Sequence, residues 1–370
     1  MLRRDFLKIA GGGVASFGLS SLFNAGSSNA DVGGALNLFT WQGYDLTKPF
    51  ESWRKERKIE QTVKYINNQF DVVSILKGPG GDQFDVSSAN QAYTHLFQRL
   101  GIMAPISVED VPTLAKMYPF FRNSPIWRWA DNDPRYNSVP WTWGAIGINY
   151  LSDKVEKPTS WNTLLDPKHK GRVGTYDDAF NNVSIAAIAL GFDLTKISHA
   201  QLSGPIRDWL LMLKTNLKTI SLNIGDQQNL LINKEVDLMC VGITLVSNAA
   251  KAAGVETVEF TVPSEGGFGF VDAAFVSATA PNKENAFAFC EALLSGETAA
   301  AAANEFLQAV VVPSVVPLLS PATRALYPYE DLDNYLANGL KLAVNFTPEE
   351  GQDIVTFAEI NALWTEIKAS

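Results

Sequence analysis

The sequence predicts an α/β protein of two lobes, each a mostly parallel sheet flanked by helices, joined by two hinge crossings. Three observations carry that prediction. Short apolar runs of strand length alternate with longer stretches of helical period from residue 36 onward, the pattern of sheets covered by helices. The chain has 370 residues, enough for two domains, yet no long polar linker divides it. Two segments, "WGAIGINY" (143–150) and "VEFTVPSEGGFGFV" (258–271), join strand-like residues to a Gly-rich or Pro-containing break, as a chain crossing twice between lobes requires. This divides the mature chain into lobe one (31–146), lobe two (147–262), a return to lobe one (263–320) and a C-terminal helical segment (321–370) packing across the lobes.

Residues 1–30 read as a targeting segment and stand outside the fold. Arg3 and Arg4 head "RRDFLK", a moderately apolar run "IAGGGVASFGLSSLF" follows, and "SNA" supplies small residues for cleavage after Ala30. This resembles a twin-arginine export signal, departing from it in Leu2, where Ser or Thr is usual. Glycines interrupt the run, so it falls short of a membrane-spanning helix, and no Cys near Ala30 offers a lipid anchor. The expected product is a soluble, monomeric periplasmic protein.

Strands are then expected at 36–41, 62–67, 84–89, 145–150, 172–176, 218–222, 236–241, 257–263 and 270–277. Helices are expected between them at 45–55, 91–100, 159–165, 181–190, 199–215, 226–233, 245–253, 282–294 and 296–309, with a last one at 348–368. "GPGG" (78–81) and "RWADNDPRYNS" (128–138) read as loops from their Gly, Pro, Asn and Asp content. Cys240 falls in a strand and Cys290 in a helix, and both read as unpaired core residues.

Composition excludes several functions. A formal charge of -9 with no Lys/Arg-rich run argues against nucleic acid. Three scattered His and two Cys without ligand spacing offer no metal site. GxSxG, GxxxxGK[ST], HExxH and CxxC are absent, and the periplasm holds no nucleotide pool, so no cofactor is expected. Asp177, Asp178 and Asp272 could serve a hydrolase as acid and base, but their spacing favours simple binding.

What stands out is aromatic rings beside acids and amides. "TWQGYD" (40–45) puts Trp41, Gln42 and Tyr44 at the end of the first strand. "VGTYDDAFNN" (173–182) ends a strand with Tyr176, Asp177 and Asp178, one of which should cap the helix that follows. "GGFGFVDAAFV" (266–276) sets Phe270 and Asp272 in an otherwise apolar strand. A lone buried carboxylate is costly, so Asp272 needs a Lys or Arg, backbone N–H groups, or a cationic ligand. An organic cation with an apolar stem suits such a set, with carboxylates for its ammonium groups and ring faces for its methylenes.

The order of these blocks resembles the periplasmic spermidine/putrescine-binding proteins of ABC transporters, a family with the type II periplasmic-binding-protein fold. The resemblance runs from Leu36 to the C-terminus through "LFTWQGY", "FDVSSANQAY", "VPWTWGAIGINY", "SWNTLLDPKHKGRVGTYDD", "EVDLMCVG", "EGGFGFVDAAFV" and "NKENAFAFCEALL". It implies that Trp41 and Tyr44 form an aromatic wall, that Asp178 is a cation-binding acid of the second lobe, and that Phe270 and Asp272 are a ring and a carboxylate at the hinge. Asn90 falls where the family places a Ser that contacts an amine, Gln42 is a polar contact, and Gln352 or Glu350 matches a terminal-amine contact. The implied partners are a small cationic solute and an inner-membrane ABC permease. Three departures mark the pocket: Asn181 where spermidine binders have Glu, Ala92 where a second aromatic is usual, and no Trp in "CVGIT". Another small solute therefore remains an alternative. A metal-ion binder of the same fold would need adjacent tyrosines, and no Tyr-Tyr pair occurs.

Overall fold

The computed structural model describes residues 32–370 apart from 42, 67, 68 and 343–350. Residues 1–30, expected to be an export segment, and Gln42 and Glu350 lie outside the described residues. The strands are β1 (Gly34–Thr40), β2 (Ile59–Tyr65), β3 (Val86–Asn90), β4 (Val139–Leu151), β5 (Val173–Tyr176), β6 (Leu217–Ser221), β7 (Leu238–Ile243), β8 (Val258–Thr261), β9 (Gly267–Val276) and β10 (Leu340–Leu342). They run in the order β2-β1-β3-β9-β4-β7-β5-β6, with β10 on β9 and β8 on β4. Within each lobe the outer three strands are parallel: β2-β1-β3 on one side, β7-β5-β6 on the other. The two central strands, β9 and β4, run antiparallel to each other and to β3, β7 and β8, while the short β10 joins β9 in parallel.

β4 is the first crossing. Its residues from Val139 to Ile146 pair with β9, and those from Ile146 to Tyr150 pair with β7. All thirteen of its residues are buried, the polar Thr142 and Asn149 among them. The sequence pattern marks this strand only from residue 145, because Pro140 and two tryptophans obscure its start. A bulge between Pro140 and Thr142 absorbs the irregularity.

The return crossing leaves β8, turns at Gly266 and enters β9. Gly266 has φ +106, a conformation that glycine adopts without a steric penalty. The turn is fastened to the second lobe. The Glu265 carboxylate accepts from Ser160 Oγ (2.5 Å) and the Trp161 amide (3.2 Å), and Trp161 Nε1 donates to the Gly266 carbonyl (3.0 Å). The "SWNTLL" and "EGGFGF" blocks, about a hundred residues apart, thus meet at the hinge.

Two large apolar clusters hold the molecule. One fills the first lobe, from Leu36 and Phe50 to Trp127, Trp141 and Phe289. The other is mainly second-lobe, with Trp161, Ile185 and Trp209, but continues into first-lobe Phe39, Tyr93, Phe97 and Phe275. Trp127, Trp161 and Trp209 are almost fully buried, each worth roughly 4–6 kcal/mol of area burial before conformational entropy is set against it. Cys240 and Cys290 are buried and unpaired, and burial pushes the Cys240 thiol up to about 12.

Helices depart from the sequence pattern in several places. Gln69–Leu76 is helical although its apolar run lacks a clear helical face. The expected helix at 199–215 forms as a continuous run from His199 to Asn216, but it widens to a π turn at Leu202–Ile206, which contains Pro205. Pro205 lacks an N–H for the regular ladder, which accounts for the wider turn. Leu332–Gly339 forms a further helix, whose Leu332 and Leu336 pack in the first-lobe cluster. The last helix, Phe357–Ala369, begins at a capping box in which Thr356 and Glu359 satisfy each other's backbone N–H groups.

Candidate functional site

Along β9 only Phe270 and Asp272 retain partial exposure between fully buried neighbours. Alternation puts both on one face of the strand. Opposite them lie Gly144 and Thr142 of β4, and on the other side Asn90 of β3 faces Asp272. Gly144 is required here: a Cβ at that position would fall 2.6 Å from the Phe270 ring, whose tip lies against bare backbone.

Tyr44 reaches the same carboxylate from the loop after β1. Gly43, at φ +93, turns the chain so that the Tyr44 amide donates to the Trp41 carbonyl (2.9 Å). The Tyr44 hydroxyl then donates to Asp272 Oδ2 (2.7 Å), and its ring meets Trp141 edge-on at 4.8 Å. Asn90 Nδ2 donates to Asp272 Oδ1 (3.3 Å), while Asn90 Oδ1 accepts from the Ala92 amide (3.2 Å). Both hydrogen bonds to Asp272 come from neutral groups. No Lys or Arg among the described residues forms an ion pair with it. Burial raises its pKa to about 6, against the opposing pull of the Tyr44 and Asn90 donors. Tyr44 is itself pushed well above its usual value, first by burial and then by the charge of Asp272.

The two acids after β5 have separate duties. Asp177 accepts from Trp364 Nε1 (2.7 Å) and Lys368 Nζ (2.8 Å), so it anchors the C-terminal helix. Asp178 caps the helix Ala179–Ala189, its Oδ1 accepting from the Asn181 amide (2.8 Å). Burial raises the Asp178 pKa, backbone N–H groups of Asn181 and Phe180 oppose the shift, and the Asp177 charge adds to it.

Around Asp178 stands a group of rings that the sequence pattern does not single out. Tyr93, just past β3, stacks on Phe357 (4.6 Å, 17°) and meets Phe180 edge-on (6.2 Å, 64°). Phe180 in turn meets Phe268 (5.3 Å) and Phe357 (5.7 Å). Asp178 lies close enough to Tyr93 to raise the phenol pKa, although burial is the larger cause. First lobe, second lobe and C-terminal helix therefore touch at one place. Ala92 is 1% exposed and buried in the core, and its neighbour Tyr93 supplies the ring. Phe180 lies inside the "DDAFNN" block, and Phe357 has no local signal at all, since its role depends on a contact 177 residues away.

Trp41 and Phe270 are partly buried against the same cluster that contains Tyr93, Phe180 and Phe357. Gln352 is exposed, next to Asp353, whose carboxylate holds His199 Nδ1 (2.6 Å). A surface groove of about 670 Å³ beside Lys48, Arg54 and Lys55 shares none of these residues. Its Lys48 and Lys55 pair with Glu305 and Glu51 as an ordinary solvated face does. Among the described residues no helix is long and apolar enough to cross a membrane, and no cluster of His, Cys, Asp and Glu is arranged for a metal ion.

Comparison with known proteins adds three kinds of likeness. The family described as bacterial extracellular solute-binding protein matches residues 83–334. The chain is 25% identical over 324 residues to the putrescine-binding periplasmic protein PotF of Escherichia coli, covering 80% of this chain and 84% of that one. It is 27% identical over 277 residues to spermidine/putrescine-binding periplasmic protein 1 of Haemophilus influenzae, covering 74% of each. The spermidine/putrescine ABC transporter substrate-binding protein PotD of Streptococcus pneumoniae superposes with a TM-score of 0.72 at 18% identity, covering 91% of this chain and 99% of that one. The fold is the type II periplasmic-binding-protein fold expected from the sequence.

Proposed function

The chain belongs to the bacterial extracellular solute-binding protein family, and from that premise we propose that it is the periplasmic solute-binding component of an ABC importer, carrying a polyamine or related small amine. The observation that carries this reading is Asp272: a partly buried carboxylate with a raised pKa whose hydrogen-bond partners are both neutral. A ligand ammonium supplies the missing positive charge. Tyr44, Trp41 and Phe270 offer ring faces to the methylenes, and a ring that meets an ammonium adds about 0.5–2 kcal/mol. Asp178, whose pKa is also raised, serves the far end from the second lobe. Gln42 and Gln352 are assigned polar contacts to the same ligand.

Transport then follows from the architecture. The solute enters between lobes 31–146 with 263–320 and 147–262, the lobes close about β4 and the Gly266 turn, and the closed form docks on the permease. Residues 1–30 direct export and are cleaved near Ala30. The family and the relatives named above are described as solute-binding proteins, and the role assigned here is binding without turnover. Titration calorimetry of the mature protein with putrescine and spermidine tests the assignment. Saturable one-to-one binding is expected, with no heat from an uncharged diol of matching length. Equal binding of amine and diol, or binding of neither, overturns it.

A further inference from the structure

We propose that Thr142 contacts the ligand and selects a primary ammonium at the Asp272 end of the site; this rests on the amine reading above. Thr142 stands directly opposite Asp272 in the antiparallel β4–β9 pair, so the two side chains leave the same face of the sheet. The residue is 1% exposed, and its Oγ1 has no hydrogen-bond partner among the described residues. Buried hydroxyls almost always find a partner, and one that lacks it destabilises the unliganded protein. The next residue on the Thr142 face of β4 is Gly144, and a valine, of the same shape as threonine, would fill the position without that cost.

Counting acceptors gives the hydroxyl a use. A carboxylate offers about four lone-pair positions, two on each oxygen. Tyr44 occupies one on Oδ2 and Asn90 one on Oδ1, while the side-chain oxygen of Asn90 accepts from the Ala92 amide. One position remains on each carboxylate oxygen, and Thr142 Oγ1 adds another. Three acceptors match the three N–H groups of a primary ammonium. A secondary ammonium fills only two of them, and a dimethylated tertiary end only one.

Calorimetry on the full mature chain, with putrescine and N,N,N′,N′-tetramethylputrescine as probes, tests this. Thr142→Val is expected to weaken putrescine binding about tenfold or more, the loss of one hydrogen bond to a charged group, while leaving the tetramethylated probe within about twofold. Thr142→Ser should bind putrescine nearly as the wild type does, and the unliganded Val variant should melt no lower than the wild type. Unchanged putrescine affinity in Thr142→Val overturns the proposal. So does an equal loss in Thr142→Ser, which would assign the effect to packing. If the Val variant does not fold, Thr142→Ala against Thr142→Ser gives the same comparison. A wild-type protein that binds no amine defeats the transport reading and this proposal together, whereas amine binding untouched in Thr142→Val defeats this proposal alone.

Discussion

At the scale of single residues, Asp272 carries most of the consequence. Its carboxylate is held by Tyr44 and Asn90 without a countercharge among the described residues, so Asp272→Asn should weaken amine binding by about 2–4 kcal/mol, read by calorimetry. The unliganded variant should lose little stability or gain some in a thermal melt, because an ionised group with a raised pKa is removed. A large loss of apo stability with normal affinity would assign Asp272 to the scaffold. The raised pKa also predicts coupling to protons. Free Asp272 titrates near pH 6, and a bound cation pulls that value down, so binding at pH 6 should release about half a proton and affinity should fall below it. Above pH 7 the site is already ionised and the release disappears. Calorimetry in buffers of different ionisation enthalpy measures both. The Asp272 question was legible in the sequence because an acid interrupted an apolar strand. Its answer was not, since Tyr44 and Asn90 lie 228 and 182 residues away.

Among elements, the C-terminal helix Phe357–Ala369 shows what local pattern leaves out. It is clipped to the second lobe by Lys368 and Trp364 on Asp177, by Arg207 on Glu366 (2.6 Å), and through His199, which faces both Asp353 and Glu359. Its first residue, Phe357, stacks on first-lobe Tyr93. The helix therefore rides with one lobe and touches the other. Phe357→Leu keeps an apolar side chain but removes the ring pair, worth about 0.5–1.5 kcal/mol, so ligand affinity should fall roughly 2–10-fold with Asp272 chemistry intact. Unchanged affinity would mean that the stack does not contribute to closure. Most strands could be read from their apolar runs: β1, β3, β5, β7 and β9 lie inside the sheet, and the edge strands β2 and β6 still carry β-branched residues. The start of β4, the helix Gln69–Leu76 and the short β10 could not, because a proline, an apolar run without a polar face and a three-residue pairing leave no periodic trace.

For the whole molecule, the contact of Tyr93 with Phe180 joins the lobes on the side where Asp178 lies. Opening about the two crossings must separate those rings, so scattering from the unliganded protein should show a larger radius of gyration than with saturating putrescine; identical profiles would remove the hinge. The shared strand has a different consequence, for heredity. A linker between lobes can gain or lose a residue and leave each partner intact. β4 cannot, because the same thirteen residues set the pairing of β9 on one side and β7 and β8 on the other. One inserted residue near Ile146 would turn every later side chain of the strand to the opposite face, so that both buried faces of its second-lobe half lose their packing and their register with the first-lobe half. Substitutions can reshape each half of the cleft separately. Insertions in this strand can only be inherited by both lobes at once or by neither.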